Sequence, residues 1–203
     1  MRSLMLAAVA ALALSGTAQA SVIPTLDGVV PDGSNFKFNY TGQLAGDQGV
    51  TNGSQLVIID FAGYVDGSVH SSLPDVTASI SNTLPAGLLL DFGFTDNAAI
   101  PDLVFTYTGA DFHTSGGPFF GLTNFSGLSA DSIFGGTAIG SFSAAAIKNN
   151  GIATGSLALN VGEVGVPISA VPEPASWALM IMGFLGLGTA LRLGRSRGIG
   201  VAA

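Results

Sequence analysis

The chain has 203 residues, of which only 9% are charged and 29 are glycine. Between residues 21 and 171, twelve acidic side chains stand against Lys37 and Lys148, which gives a net charge of −10. Such a surface repels nucleic-acid phosphates and anionic lipid headgroups, so we expect no nucleic acid as a partner. The chain has no cysteine, which excludes disulfides and thiolate chemistry.

Residues 1–20 have the three parts of a secretory signal peptide. Arg2 supplies a cationic start, residues 4–14 are apolar, and Ala18 and Ala20 form a small-residue cleavage site before Ser21. An uncleaved anchor is the alternative, but eleven apolar residues are too few to span about 30 Å of hydrocarbon as a helix. We therefore expect signal peptidase to cleave between Ala20 and Ser21.

Beyond the signal peptide, short runs of β-branched and aromatic residues alternate with Gly, Asn, Asp and Pro, which is typical of an all-β domain. About eight such runs predict a β-sandwich over residues 21–163, with a jelly roll among the arrangements left open. The predicted strands are residues 36–41, 56–61, 76–81, 88–94, 103–108, 119–125, 137–148 and 152–161. The 36–41 run places its aromatics on one face, and the 56–61 run is interrupted only by Asp60.

The last two predicted strands flank Asn149, Asn150 and Gly151, and Asn-Gly readily adopts the positive φ values of a tight hairpin turn. Leu157, Leu159 and Val161 are expected to share one face. Residues 164–171 show no periodicity, and we expect them to form a linker.

Few residues of the β domain indicate chemistry. The two histidines, His70 and His113, fall in different predicted loops, and neither an HExxH nor a GxSxG motif occurs. Thr106 and Thr108 form a single Thr-x-Thr pair, whereas ice binding would need a regular array. We therefore predict no catalytic, cofactor-binding or metal-binding residue.

Three Asp-Gly-rich segments, residues 27–28, 31–34 and 46–49, carry oxygens that suit Ca²⁺. Turn formation explains the same residues without a metal, because Asp accepts local backbone hydrogen bonds and Gly adopts positive φ. None of the three matches an EF-hand or a nonapeptide Ca²⁺ repeat. Turns are the favoured interpretation.

The most informative segment is the last one, residues 172–198. Pro172 and Pro174 hold Glu173 in an extended conformation that a processing enzyme can bind as a strand. The alternative is that the two prolines only begin a helix.

Residues 175–191 then run for seventeen positions without a charge, at the short end of what spans a bilayer as a helix. Trp177 suits the membrane interface, and Arg192, Arg195 and Arg197 suit the cytoplasmic side. This order predicts that residues 199–203 lie in the cytoplasm and that the β domain lies on the opposite side of the inner membrane. A buried core helix is the alternative.

The ordered series Val-Pro-Glu-Pro-Ala-Ser-Trp-Ala-Leu-Met-Ile-Met-Gly-Phe, followed by a Gly-rich apolar run and arginines, resembles the PEP-CTERM sorting domain of Gram-negative bacteria, in its PEPxxWA variety. That domain is also called the ice-binding protein C-terminal domain, after proteins that it follows. Two departures are Leu179, where the variety usually has Met, and the spacing of the arginines.

The resemblance implies recognition of Pro172, Glu173 and Pro174 by an exosortase, a membrane protease or transpeptidase. Cleavage would release the β domain or transfer it to the cell surface or the exopolysaccharide matrix. The sequence thus predicts an exported, non-enzymatic surface or biofilm-matrix protein. The alternative is a carbohydrate-binding or ice-binding module delivered by the same signal.

Overall fold

The computed structural model describes residues 22–113, 123–149 and 153–168, together with residues 182, 184 and 185. Contacts divide the chain into two units, Met1–Ile168 and Ser169–Ala203. The strands found in the described residues all belong to the first unit: β1 Val22–Asp32, β2 Asn35–Leu44, β3 Gln48–Val50, β4 Gln55–Ile58, β5 His70–Ser71, β6 Val76–Ser81, β7 Asp102–Tyr107, β8 Phe112–His113, β9 Thr123–Ser132, β10 Gly136–Lys148 and β11 Leu157–Ile168.

Four strands form one antiparallel sheet in the order β1-β2-β9-β5. The tight turn between β1 and β2 uses Gly33, whose φ of 62° is costly for residues with a Cβ. Along β2, Phe38 and Tyr40 are buried and Phe36 packs against the same core. The aromatic face predicted for residues 36–41 is therefore confirmed.

The second sheet is also antiparallel and has the order β6-β7-β4-β10-β3-β8, with β11 paired to β10. Strands β3 and β4 lie end to end along one edge of β10, because Ile147 faces Gly49 and Phe142 faces Ile58. Strand β11 pairs with the other edge of β10 over nearly its full length. Strands β7 and β8 pair in turn with β4 and β3.

One core cluster draws on both sheets, which is the arrangement expected of a β-sandwich. The all-β prediction is thus confirmed. Strands β3, β5 and β8 are two or three residues long, too short for alternation to reveal them in the sequence. The buried members of the cluster are Val22, Phe38, Tyr40, Leu44, Leu56, Ile58, Phe61, Leu103, Phe105, Leu128, Ala130, Phe142, Ala144, Ala146, Val164 and Val166.

The strand predicted at residues 88–94 is wrong, since these residues belong to the connection 82–101 between β6 and β7. A small cluster on the seven-stranded sheet, formed by Val57, Ile59 and Val104, is covered by Leu84 and Leu88 of this connection. Here apolar residues of a loop pack on the face of a sheet. A run of apolar residues in the sequence does not show whether it forms a strand or a loop that packs in this way.

The 137–148 strand is confirmed as β10, but its partner begins at Leu157, five residues later than predicted. The hairpin connection closes where the Lys148 amide donates to the Ser156 carbonyl at 2.8 Å. Asn150 and Gly151 lie outside the described residues. Leu157 is largely exposed, while Ala158 on the alternate face is buried.

Strand β11 continues to Ile168, through most of the segment expected to be a linker. Val164 and Val166 alternate into the core, so this part of the chain completes the seven-stranded sheet. The glycines at 162 and 165 and Pro167 conceal the alternation in the sequence. Residues 169–171 lie outside the described residues.

Of the helix predicted at residues 175–191, the described residues are Met182, Phe184 and Leu185, which have helical backbone and exposed side chains. In the part of the chain that the structure describes, no helix has the length and apolar character of a membrane span. The rest of that prediction, like the signal peptide, lies outside the described residues.

Candidate functional site

Three carboxylates meet at one end of strands β4 and β7. Asp60 lies two residues after the end of β4, Asp102 is the first residue of β7, and Asp96 comes from the connection 82–101. One oxygen from each carboxylate lies within 4.8 Å of the other two. These three side chains form the carboxylate cluster.

Backbone amides orient all three members of the carboxylate cluster. Asp60 has a φ of 57°, and its N–H donates to Oδ1 of Asp102 at 2.9 Å. Oδ1 of Asp60 accepts from the Asn97 amide at 3.1 Å, and Oδ2 of Asp96 accepts from the Leu84 amide at 2.7 Å. The left-handed turn at Asp60 also explains why the predicted 56–61 strand ends at Ile58.

Two oxygens of the cluster are buried and lack a partner among the described residues. They are Oδ2 of Asp102, a residue with no exposed surface, and Oδ1 of Asp96. Native proteins satisfy nearly all buried polar atoms, so each exception needs a physical explanation. Both unpartnered atoms belong to the same site.

Burial and mutual repulsion shift the acidity of the site. Burial raises the pKa of Asp102 to about 6; the Asp60 amide opposes this rise, and the Asp96 and Asp60 carboxylates add to it. Burial likewise raises the pKa of Asp60, against the hydrogen bond from the Asn97 amide. The site therefore favours a bound proton or a bound cation over three bare negative charges.

Only a faint signal for this cluster is present in the sequence. Asp60 interrupts an apolar run and Asp102 begins another, but they are 42 positions apart and carry no spacing motif. A charged residue next to an apolar strand pattern is the feature that could have revealed the site, because an Asp beside buried residues is at least partly buried and needs polar partners.

The Asp-Gly segments considered for Ca²⁺ lie elsewhere in the fold. Asp27 sits at a register shift between Leu26 and Gly28, as in a β-bulge. Asp32 borders the β1–β2 turn and pairs with Lys37 at 2.7 Å. At the third segment the backbone N–H of Gln48 donates to the Ala45 carbonyl at 3.0 Å and closes a turn. The structure thus has turns in segments 31–34 and 46–49, as interpreted, whereas residues 27–28 lie within strand β1 and form no turn.

The histidines belong to short strands and not to loops as predicted. His70 is exposed on β5 of the four-stranded sheet, and His113 lies in β8 of the seven-stranded sheet. Thr106 faces Thr77 across the β6–β7 pair, whereas Thr108 lies past the end of β7. The structure thus brings neither the histidine pair nor the Thr-x-Thr pair into one site.

An apolar cavity of about 220 Å³ lies between the two sheets. Its wall includes Val22, Leu44 and Phe125 from the four-stranded sheet and Val50 and Phe105 from the seven-stranded sheet. Apolar cavities of this size class can hold a small apolar molecule.

The residues predicted for export and sorting lie outside the described residues. They are Ala18, Ala20, Ser21, Pro172, Glu173, Pro174, Trp177, Arg192, Arg195 and Arg197. No protein-family model matches the chain, and no curated protein matches it. The resemblance of the tail to the PEP-CTERM domain therefore rests on the residues quoted for it.

Proposed function

We propose that this chain is an exported, non-enzymatic surface or extracellular-matrix protein, sorted through its C-terminal segment by an exosortase-type membrane protease. The observation that carries the proposal is the order of three elements: Pro172-Glu173-Pro174, a charge-free run at 175–191, and three arginines. Each element is common alone, but the three in this order resemble the PEP-CTERM sorting domain.

The two ends of the chain support one orientation. A signal peptide that ends at Ala20 delivers the polypeptide beyond it across the inner membrane. Arg192, Arg195 and Arg197 favour the cytoplasmic side for the residues beyond the apolar run. Both signals leave the β domain outside the cytoplasm, held by a temporary anchor until cleavage.

The domain that is delivered suits a surface role. We infer that its two sheets form a β-sandwich, a fold whose core persists without cysteine pairing. The net charge of −10 over residues 21–171 keeps such domains soluble and apart from anionic lipid. The contact with exopolysaccharide or the outer surface would then depend on processing at the tail.

Glu173→Ala tests the proposal, because Glu173 is the one charged group in the recognition segment. In the host that produces the protein, cell fractions are probed with an antibody against the β domain, and the mass of each species is measured. We expect wild type at the processed mass in the surface or matrix fraction. The variant should remain in the membrane fraction at a higher mass.

The matched control is Glu163→Ala, because Glu163 is the other glutamate of the chain and is exposed on β11. This variant should be sorted like wild type. If Glu173→Ala reached the same fraction at the same processed mass as Glu163→Ala, the sorting proposal would be wrong.

A further inference from the structure

The carboxylate cluster concentrates negative charge that the described residues do not neutralise. Carboxylates this close repel one another strongly when all are ionised, and burial increases the repulsion. The ion pair found in the described residues joins Lys37 to Asp32, at the β1–β2 turn. Among the described residues no ion pair neutralises the cluster, which leaves room for a proton or a bound ion.

The buried unpartnered oxygens give a second, separate indication of a ligand. Asp102 has no exposed surface, and its Oδ2 points to no donor in the described residues. Asp96 is partly exposed, but its Oδ1 atom is also buried and has no partner in the described residues. Because the backbone amides already occupy the other oxygens of these side chains, the two free oxygens remain for an additional group.

The donor set indicates the class of ion. All three donors are carboxylate oxygens, whereas zinc sites favour nitrogen and sulfur. Calcium binds oxygens at about 2.3–2.6 Å, so two ligands on opposite sides of one ion lie about 5 Å apart. The three carboxylate oxygens lie within 4.8 Å of one another, which is compatible with ligands of one Ca²⁺ ion. Mg²⁺ demands near-ideal octahedral geometry and gives up its water reluctantly, so a site with three protein oxygens suits it less well.

We propose that Asp60, Asp96 and Asp102 bind one divalent cation of the calcium class, which fastens the connection 82–101 to the ends of β4 and β7. Water would complete the coordination shell, as at most Ca²⁺ sites with few protein ligands. The ion closes a long loop, and this restrains the segment in which Leu84 and Leu88 cover the small cluster of Val57, Ile59 and Val104. The inference rests on the geometry of the cluster and is independent of the sorting proposal.

The test uses the full chain, purified in detergent and stripped with EDTA, to which CaCl₂ alone is added. Binding is measured by calorimetric titration to about 10 mM, the upper range for extracellular calcium modules. Thermal unfolding is followed by circular dichroism. We expect Tm to rise by roughly 5–10 °C when Ca²⁺ stands about 100-fold above Kd, and MgCl₂ to have a smaller effect.

Asp96→Asn is the diagnostic variant, because Asp96 lies in the connection and its loss leaves the strands intact. We expect its Kd for Ca²⁺ to rise at least about tenfold and the Tm shift to fall in parallel. Asp91→Asn removes the same charge from the same connection outside the cluster, and should behave like wild type. The fully buried Asp102 is left unchanged, so that a folding failure does not obscure the result.

Two outcomes would overturn the inference. If wild type neither binds Ca²⁺ nor gains Tm over this range, a shared proton neutralises the cluster and no cation site exists. If Asp96→Asn binds Ca²⁺ as tightly as Asp91→Asn, the ion binds elsewhere in the chain. Sorting of Glu173→Ala is unaffected by either outcome, which keeps the two proposals separately testable.

Discussion

The hydroxyl of Tyr40 on β2 donates a hydrogen bond to the carbonyl of Gly165 on β11, at 2.9 Å. This bond joins the four-stranded sheet to the seven-stranded sheet. A second bond, from the Asn160 side-chain amide to the Val22 carbonyl at 2.9 Å, joins the same two sheets at an earlier position on β11. Strand β11 is thus held against the other sheet by polar contacts as well as by the core.

Tyr40→Phe should lower the free energy of unfolding by about 1–2 kcal/mol, because it leaves a carbonyl of the sheet interface without its donor. Burial also raises the pKa of Tyr40, in keeping with a hydroxyl held neutral in the core. Urea unfolding measures the change.

The control for this substitution is Tyr107→Phe. The Tyr107 hydroxyl also donates to a backbone carbonyl, that of Ala110 at 2.7 Å, but this bond is exposed and water can replace it. If Tyr107→Phe lowered the free energy of unfolding as much as Tyr40→Phe, the bond between the sheets would stabilise the fold no more than an exposed bond does.

Gly165→Ala should destabilise the domain by about 1–3 kcal/mol, because strands β1 and β11 approach closely at this residue. An added Cβ would lie 2.6 Å from Cδ2 and 3.0 Å from Cβ of Leu26. The Leu26 side chain would have to leave its place against the core. The midpoint of urea unfolding gives the size of the effect.

Gly28→Ala is the comparison, since a Cβ there meets nothing within 4 Å and Gly28 lies in the same strand as Leu26. We expect a change within about 0.5 kcal/mol. Equal losses in the two variants would mean that the penalty comes from the backbone of glycine and not from the contact with Leu26.

In the presence of a chelator, the stability contributed by Asp102 should fall as the pH rises. Its pKa is 3.8 in the unfolded reference and about 6 in the fold, so the folded protein retains a proton that the unfolded chain has released. The contribution is complete below about pH 4 and is lost as the pH passes through about 6. Urea unfolding at several pH values measures it.

Asp102→Asn removes the titrating group but keeps an oxygen to accept the Asp60 amide. The fall in stability between about pH 4 and pH 8 should be correspondingly smaller in this variant. The same pH dependence in wild type and Asp102→Asn would assign the titration to other carboxylates.

Local pattern predicts much of the fold. The alternation at residues 36–41 predicted the buried faces of Phe38 and Tyr40, and Val76–Ser81 is a strand as predicted. The pattern failed at residues 88–94, where the apolar side chains cover a sheet, and at Val164–Ile168, where glycine and proline mask a strand. In both places the partner that decides the structure is distant in sequence.

The sequence alone was enough to predict the all-β class and the inward face of the clearest strand. It also contains the series of C-terminal elements that we interpret as a sorting signal. These features depend on residues close together in sequence, where side-chain direction is set by backbone geometry. The meeting of Asp60, Asp96 and Asp102, and the bond from Tyr40 to Gly165, became visible only in the folded domain. Both depend on strand register and on the path of a twenty-residue connection, which are set by packing between distant segments.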